Sequence, residues 1–265
     1  MKFSVLALLA ISMAACSRQA NSARWPAGPP IDLSHDYSDQ TVFWPTAAGF
    51  KLDKVADGLT EQGYYYAANN FSTSEHGGTH IDAPVHFARG HRSVDQIPLD
   101  QLIGAAVVVD VTEACANQPD YRVTIEDFTA WERSNGEILA GTIVLIRTAY
   151  SRFWPDASRY LGTVERGAGA VAKLHFPGLH PDAARWLAES RRAKAVGLDT
   201  ASIDYGQSTM YESHRMLFER DIPAFENLTS LDRLPATGAF VVALPMKIRG
   251  GSGAPLRAVA FVPGT

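Results

Sequence analysis

Four of the eight histidines lie within 16 residues, at positions 76, 80, 86 and 91, and an aspartate, Asp82, lies among them. Imidazole nitrogens and carboxylate oxygens are ligands that suit Zn²⁺, Mn²⁺ and Fe²⁺. A catalytic metal site needs about three protein ligands and one open position for water. The spacing of His76, His80, Asp82 and His86 therefore predicts a catalytic metal site rather than a set of surface histidines in a glycine-rich loop.

The residues between these side chains decide how they are presented. A proline and two glycines disfavour a helix, so the segment differs from the His-Glu-x-x-His helix of metalloproteases. In an extended segment alternate side chains share a face, which would group His80, Asp82 and His86 unless Pro84 bends the path. The two glycines that follow His76 allow a tight turn that would fold His76 back toward the others.

The rest of the chain must supply the elements that hold this segment. Apolar runs predict buried strands at residues 105–111, 142–146, 195–198, 240–244 and 258–262. Two segments predict helices: residues 124–133 open with a Thr-x-x-Asp cap pattern, and residues 181–191 begin with a proline. Strands mixed with a few helices predict a layered α/β or α+β fold, and of these we expect the α/β class with a mixed sheet core. Composition does not shift after residue 31, so we expect one domain over residues 31–265.

Composition excludes several classes of protein. The 265 residues carry a net charge of −4, so no basic excess is present to neutralise nucleic-acid phosphates. The mean hydropathy of −0.08 excludes a polytopic membrane protein. Two cysteines, Cys16 and Cys115, are too few for a disulfide framework, and we expect Cys115 to be a small buried hydrophobe.

The N-terminal residues predict export. Lys2 precedes a 13-residue apolar run, residues 3–15, which is too short to span a bilayer and is typical of a signal peptide. The run ends in Met-Ala-Ala before Cys16, which resembles the bacterial lipoprotein box. We therefore expect a signal peptide over residues 1–15, lipidation of Cys16, a flexible tether over residues 16–30 and a membrane-anchored protein facing the periplasm. The alternative is a plain secretory peptide in which Cys16 is incidental.

The histidine-rich segment also carries a family resemblance. Residues 76–87, His-Gly-Gly-Thr-His-Ile-Asp-Ala-Pro-Val-His-Phe, resemble the His-x-Gly-Thr-His-x-Asp-x-Pro-x-His signature of the metal-dependent cyclase family, which includes kynurenine formamidases and isatin hydrolases. Segments along nearly the whole mature chain agree with this family: residues 31–35, 43–45, 175–179, 196–204, 244–247 and 250–257. Residues 75–80 and 204–208 look closer to the isatin hydrolases of the family.

The resemblance implies a fold and a set of metal ligands. The fold would be the swivelling β/β/α domain, found as a homo-oligomer. The cofactor would be Mn²⁺ or Zn²⁺, and Asp82 would bridge if a second ion is bound. The implied ligands are His76, His80, Asp82, His214 and Glu226. Judged by the residues alone, Glu226 could instead pair with an arginine, and His214 could lie at the surface.

The resemblance also implies the roles of other residues. His86 would be the general acid/base, and Trp44 would line the substrate pocket, although Trp44 could also belong to the core. If members of this type use a single Mn²⁺, His214 could relay protons, with Ser208 beside it.

The expected function is hydrolysis of an aromatic amide, either an isatin-type lactam or an N-formylkynurenine-type arylformamide. Water activated by the metal would attack the carbonyl, and His86 would transfer the proton. Two alternatives remain: a metal-dependent lyase or dehydratase of the same family, and a non-catalytic metal- or solute-binding lipoprotein. A titratable His86 beside the ligands favours catalysis, because binding alone does not need it.

Overall fold

The computed structural model describes residues 28–262. The predicted signal peptide, Cys16 and most of the predicted tether lie outside the described residues. The described part contains twelve strands: β1 (Ile31–Asp32), β2 (Lys51–Leu59), β3 (Tyr65–Ser72), β4 (His80–Asp82), β5 (Ile103–Asp110), β6 (Arg122–Val123), β7 (Ile143–Arg147), β8 (Gly178–Leu179), β9 (Ala195–Leu198), β10 (Ala224–Glu226), β11 (Ala239–Pro245) and β12 (Gly253–Phe261). It also contains seven α-helices: α1 (Leu99–Leu102), α2 (Thr112–Asn117), α3 (Ile125–Asn135), α4 (Ala157–Tyr160), α5 (Ala168–Val171), α6 (Pro181–Glu189) and α7 (Glu212–Phe218).

Seven strands close into a barrel-like sheet. The strand order is β12-β11-β5-β7-β9-β10-β4, and β4 pairs again with β12, while β1 adds to the outside of β12. Neighbours from β5 through β10 are parallel, and the other pairs are antiparallel. Closure removes the free edges that an open sheet would expose. The predicted α/β domain with a mixed sheet core is confirmed.

Both faces of the parallel strands are buried. In β7, Val144 and Ile146 pack against the helices outside the barrel, whereas Ile143 and Leu145 belong to the core inside it. Two-sided burial explains the uninterrupted apolar runs of the sequence, since each such side chain stabilises the fold by about 1.5–3 kcal/mol when it leaves water. Cys115 is buried in the outer core, as predicted.

The five predicted strands and two predicted helices are all present. A capping box between Thr124 and Asp127 starts α3, and Pro181 occupies the first turn of α6. The largest difference is in β12, which begins at Gly253 rather than at residue 258. Gly253, Ala254 and Pro255 precede the predicted apolar run, but their backbone pairs with β4 and closes the barrel. Among residues 28–262 no helix is long and apolar enough to cross a membrane.

Strands β2 and β3 stand apart from the barrel. They pair only with each other, antiparallel, from Lys51 opposite Ser72 to Leu59 opposite Tyr65. We call residues 51–72, the two strands and their turn, the arm. No residue of its two strands is buried.

Candidate metal centre

Two short neighbouring strands present the first ligands. In β4 and β10, His80 lies directly opposite Glu226, and Ile81 lies opposite Phe225. Because side chains alternate across a strand, Ile81 and Phe225 enter the barrel core, while His80, Asp82 and Glu226 share the opposite face. His80 Nε2 lies 3.1 Å from Asp82 Oδ1 and 3.4 Å from Glu226 Oε2.

The glycine pair folds His76 back onto this face, as predicted. Gly77 and Gly78 have φ angles of 145° and 58°, which disfavour other residues. A Cβ at Gly77 would also clash with the ring of Phe43. The turn places His76 Nδ1 2.7 Å from Asp82 Oδ1.

The extended path ends before His86, because Pro84 bends it, the exception that the sequence left open. Pro84 starts a 3-10 turn, Pro84–His86, because its ring suits the first position of a helical turn and it has no N–H to donate. His86 nevertheless reaches the cluster. Its ring stacks on that of His76, with 3.9 Å between centroids and 18° between planes.

Helix α7 contributes His214, which is buried rather than at the surface. Its Nε2 lies 3.1 Å from Asp82 Oδ2 and 3.2 Å from Glu226 Oε1. Glu226 is also buried, and among the described residues its basic neighbours within 4 Å are His80 and His214, not an arginine. Asp82 therefore lies between two ligand groups, one with His76 and His80 and one with His214 and Glu226, each with its donor atoms within 4.8 Å.

An outer layer of hydrogen bonds sets the proton positions of the three rings. His80 Nδ1 donates to Gly78 O at 3.0 Å, and His214 Nδ1 donates to Asp204 Oδ2 at 2.6 Å. Ser252 Oγ gives its single proton to Glu75 Oε2, 2.7 Å away, so it accepts from His76 Nε2 at 2.9 Å. In each of the three rings, one nitrogen donates a hydrogen bond to this outer layer, and the other nitrogen faces the carboxylates of the centre.

This arrangement fits divalent cations. Burial disfavours charge on His80 and His214, but the surrounding carboxylates raise the pKa of both rings, so without a cation their inner nitrogens are protonated toward Asp82 and Glu226. A divalent cation would take the place of these protons, with the inner nitrogens of neutral rings as its ligands. Three imidazoles and two buried carboxylates are also a donor set that suits Zn²⁺ and Mn²⁺. The residues fit one ion, or two ions that share Asp82.

The two carboxylates of the centre differ in their electrostatics. Burial by itself would raise the pKa of Asp82, but His76, His214 and His80 hold it well below its ordinary value. Burial and the charge of Asp82 raise the pKa of Glu226. Asp82 is therefore ionised at neutral pH. A bound cation would lower the raised pKa of Glu226 and so favour its ionised form.

A cavity of about 330 Å³ opens above the ligands. Its walls are largely apolar and aromatic, and include Phe43, Trp44, Phe87 and Tyr211. Trp44 is only half-buried and meets Phe176 edge-on with centroids 6.4 Å apart, so it belongs to the cavity wall as well as to the packing beneath it. Burial lowers the pKa of His86, which also lines the cavity, to about 4.

Other residues lie behind the ligands. Ser208 is not among the cavity-lining residues: its Oγ lies 3.3 Å from Asp204 Oδ1, so Asp204 separates it from His214. Asp204 accepts from the backbone N–H groups of Ser213 and His214, so it holds the start of α7. Its contact with the His214 ring was missed, because no spacing rule links the two side chains.

The comparisons with known proteins agree with this site. The cyclase family model matches residues 31–205. The isatin hydrolase of Roseibium aggregatum is 30% identical over 246 residues, 90% of this chain and 88% of that protein. The kynurenine formamidase of Salinibacter ruber is 31% identical over 233 residues, 86% of this chain and 95% of that protein. The solved structure of isatin hydrolase A from Ralstonia solanacearum matches with a TM-score of 0.79 and 34% identity, over 88% of this chain and 92% of that one. The chain therefore belongs to the cyclase family.

Proposed function

We propose that this protein is a metal-dependent hydrolase of aromatic amides, of the isatin-type lactam or N-formylkynurenine-type arylformamide class. The observation that carries the proposal is the position of the His/Asp/Glu centre, centred on Asp82, at the base of an aromatic cavity. The hydrolase relatives at about 30% identity over most of the chain support the reaction class.

The cavity favours a small, flat, aromatic substrate. Its volume of about 330 Å³ lies near the lower end of the range for small-molecule sites, which begins at roughly 300 Å³. Trp44, Phe87 and Tyr211 offer ring faces and edges for packing against an aromatic group. Isatin and N-formylkynurenine both present an acyl group on an aniline nitrogen, so one arrangement of groups serves both.

The chain's own residues position the substrate and move the proton. A divalent ion, Mn²⁺ or Zn²⁺, would supply a nucleophilic water at neutral pH and polarise the carbonyl. His86 is neutral at pH 7, because burial lowers its pKa to about 4, so it accepts a proton as the nucleophile attacks. The resulting imidazolium then donates that proton to the aniline nitrogen as the C–N bond breaks, since an anilide anion is a poor leaving group.

The test combines metal analysis with product formation. Purified protein is incubated with isatin and with N-formylkynurenine, with and without a strong chelator, and bound Mn and Zn are measured on the same sample. We expect ring-opened or deformylated product that disappears with the metal. His80→Ala and Asp82→Asn should abolish both metal and turnover, whereas the control His175→Ala, on an exposed histidine that pairs with Asp120, should preserve both.

Two results would contradict the proposal. Turnover in metal-free protein would exclude the metal-dependent reaction. Stoichiometric metal without turnover of any aryl amide or lactam would favour the non-catalytic alternative, or a lyase if a cyclic or polyol substrate is dehydrated instead.

A further inference from the structure

The cavity above the metal centre offers a few uncharged polar groups among its rings. The amide and hydroxyl side chains that line it are those of Thr46, Ser202, Tyr211 and Asn227. The amide of Asn227 is engaged at both ends within the fold: its Nδ2 donates to Gly78 O at 2.8 Å, and its Oδ1 accepts from the Tyr160 hydroxyl at 2.8 Å. The three hydroxyls are therefore the candidates for hydrogen bonds to a substrate.

Tyr211 has a backbone conformation that a tyrosine rarely adopts. Its φ and ψ angles of 47° and 46° lie in the left-handed region, where a Cβ is crowded by the backbone. Among the non-glycine residues with positive φ in residues 28–262, it is the only aromatic one. Such strain persists only where the surroundings enforce it, and it is concentrated at functional sites. A glycine would relieve the strain, so the presence of a large ring at this position indicates a role for the side chain.

The surroundings hold the Tyr211 ring in the cavity wall. Its backbone N–H donates to Ser208 Oγ at 3.2 Å, and its carbonyl accepts from the backbone N–H of Arg215 at 3.1 Å, where α7 begins. The ring stacks on Phe87, with centroids 5.1 Å apart, and meets Trp44 at 6.4 Å. Within the described residues the hydrogen bonds of Tyr211 are made by its backbone. The hydroxyl is therefore held in place by ring packing and is available to a ligand.

This hydroxyl group flanks the metal centre. The centroid of the Tyr211 ring lies 6.2 Å from that of the ligand His214, and the two planes meet at 75°. A substrate whose acyl group lies at the centre would present the neighbouring part of its aromatic ring to Tyr211. A tyrosine hydroxyl keeps its proton at neutral pH, since its ordinary pKa is about 10, so it can donate to an acceptor oxygen.

The two candidate substrates share an acceptor at this place. Isatin and N-formylkynurenine each carry a ketone carbonyl on the ring carbon next to the one that bears the acylated nitrogen. The ketone oxygen is uncharged and accepts hydrogen bonds, and it lies beside the scissile amide. A simple anilide has the same amide and the same ring but lacks this oxygen, so the acceptor is what distinguishes the two kinds of substrate.

We propose that Tyr211 is a specificity-determining residue, whose hydroxyl donates a hydrogen bond to a ketone oxygen ortho to the scissile amide. The inference rests on the proposed function and narrows its substrate class to aryl amides that carry a carbonyl group at that position. A site that is built to hydrogen-bond one substrate group rejects the analogue that lacks it, because the hydroxyl is then left unpaired in the closed cavity.

The test compares two formanilides whose ortho groups have the same shape. Only ortho-acetylformanilide has the acceptor oxygen, which ortho-isopropylformanilide replaces with a methyl group. We expect Tyr211→Phe in the metal-loaded full-length chain to lose about 10-fold in kcat/KM for the acetyl compound and to change little for the isopropyl compound. The intrinsic reactivity of each compound is the same with both proteins, so it cancels from the comparison. Metal content and thermal unfolding check that the variant is folded.

A binding measurement reads the same contact without turnover. The corresponding amines, ortho-aminoacetophenone and ortho-isopropylaniline, are titrated into both proteins by calorimetry. The wild type should prefer the ketone, and Tyr211→Phe should lose about 10-fold in affinity for it alone. This result together with no hydrolysis of any formanilide would contradict the proposed function while supporting the contact made by Tyr211.

A control variant and three outcomes decide the assignment. Tyr205→Phe removes a tyrosine hydroxyl outside the cavity lining, and its ring stays beneath the Arg122 guanidinium, 5.1 Å away, so it should keep the wild-type preference. Equal losses for both compounds in Tyr211→Phe, or no loss for either, would overturn the proposal. A wild type without preference for the ketone would also overturn it. Loss of the preference in Ser202→Ala or Thr46→Val, but not in Tyr211→Phe, would assign the contact to another hydroxyl.

Discussion

Asp204 accepts a hydrogen bond of 2.6 Å from Nδ1 of His214, on the side of the ring away from Asp82. The same carboxylate accepts from the backbone N–H groups of Ser213 and His214, so it holds both the ring and the start of its helix. The bond keeps the proton on Nδ1 and leaves Nε2 free to face Asp82 and Glu226. Asp204 is therefore a positioning residue for the centre.

Asp204→Asn should weaken metal binding while the fold remains. An asparagine keeps the size of the side chain but removes the charge that holds the ring, and loss of such an outer partner costs typically 10–100-fold in metal affinity. Titration of metal-depleted protein with Mn²⁺ or Zn²⁺ measures the change, with the exposed Asp182→Asn as control. Unchanged affinity would show that Asp204 serves only the backbone.

His86→Ala should separate proton transfer from metal binding. His86 stacks on the ligand ring of His76 but is absent from both groups of candidate ligands. We expect bound metal to stay near the wild-type value while kcat falls about 10²–10⁴-fold and KM changes much less. Metal lost together with activity would make His86 a ligand, and wild-type kcat would remove it from the mechanism.

Glu226→Gln tests how many ions the centre holds. The glutamine can still accept from the backbone N–H of Ile203, as Glu226 does at 2.6 Å, so the substitution removes mainly a charge. With two ions per chain, we expect about one to be lost, as measured by elemental analysis. With one ion, His214→Ala should impair turnover while the metal content stays near one. No effect of either substitution on metal or rate would exclude this half of the site.

His35 should make the fold sensitive to acid. Its ring stacks on Trp154 with centroids 4.2 Å apart, and burial lowers its pKa from 6.5 to about 4, although Asp36 and Asp32 act in the opposite direction. The unfolded chain therefore binds a proton at His35 more readily than the folded one. The contribution of neutral His35 to the free energy of unfolding is fully present above pH 6.5 and is lost as the pH falls through about 4. The shift in pKa corresponds to a contribution of about 3 kcal/mol.

The variant His35→Phe isolates this contribution, because it keeps a ring on Trp154 without a titratable group. Chemical unfolding at pH 7 and at pH 4.5 should show a smaller loss of stability in the variant than in the wild type. Equal losses would assign the acid sensitivity to other groups.

Cys16→Ser tests export and lipidation, which we propose from the N-terminal residues. We expect the wild type to lose residues 1–15 and gain lipid mass, and the variant to remain an unlipidated or uncleaved precursor. Intact-mass measurement of both proteins decides, and an unprocessed Met1 form in the wild type would contradict the prediction.

Local sequence determined the first half of the centre and most of the barrel. Several candidate ligands and a turn-forming glycine pair lie within a few residues of His76. Each buried parallel strand is indicated by an apolar run in its own sequence. Such features depend on neighbours along the chain, so they can be read without a fold. The exception was His86, where the turn that begins at Pro84 replaced the expected extended path.

Tertiary structure decided which distant residues meet. His214 reaches Asp82 across 132 positions and Ser252 reaches His76 across 176, so no periodicity in the sequence could pair them. For His214 and Glu226 only the family resemblance pointed to the site, and for Asp204, Glu75 and Ser252 no signal was recognised. Pairing of β4 with β12 brings Ser252 to His76, and pairing of β4 with β10 brings Glu226 to His80. Such pairing between strands far apart in the chain depends on the whole fold. The exposure of the arm also depends on the tertiary structure. An apolar residue in a sequence is expected to be buried, and only the fold shows that those of the arm are exposed.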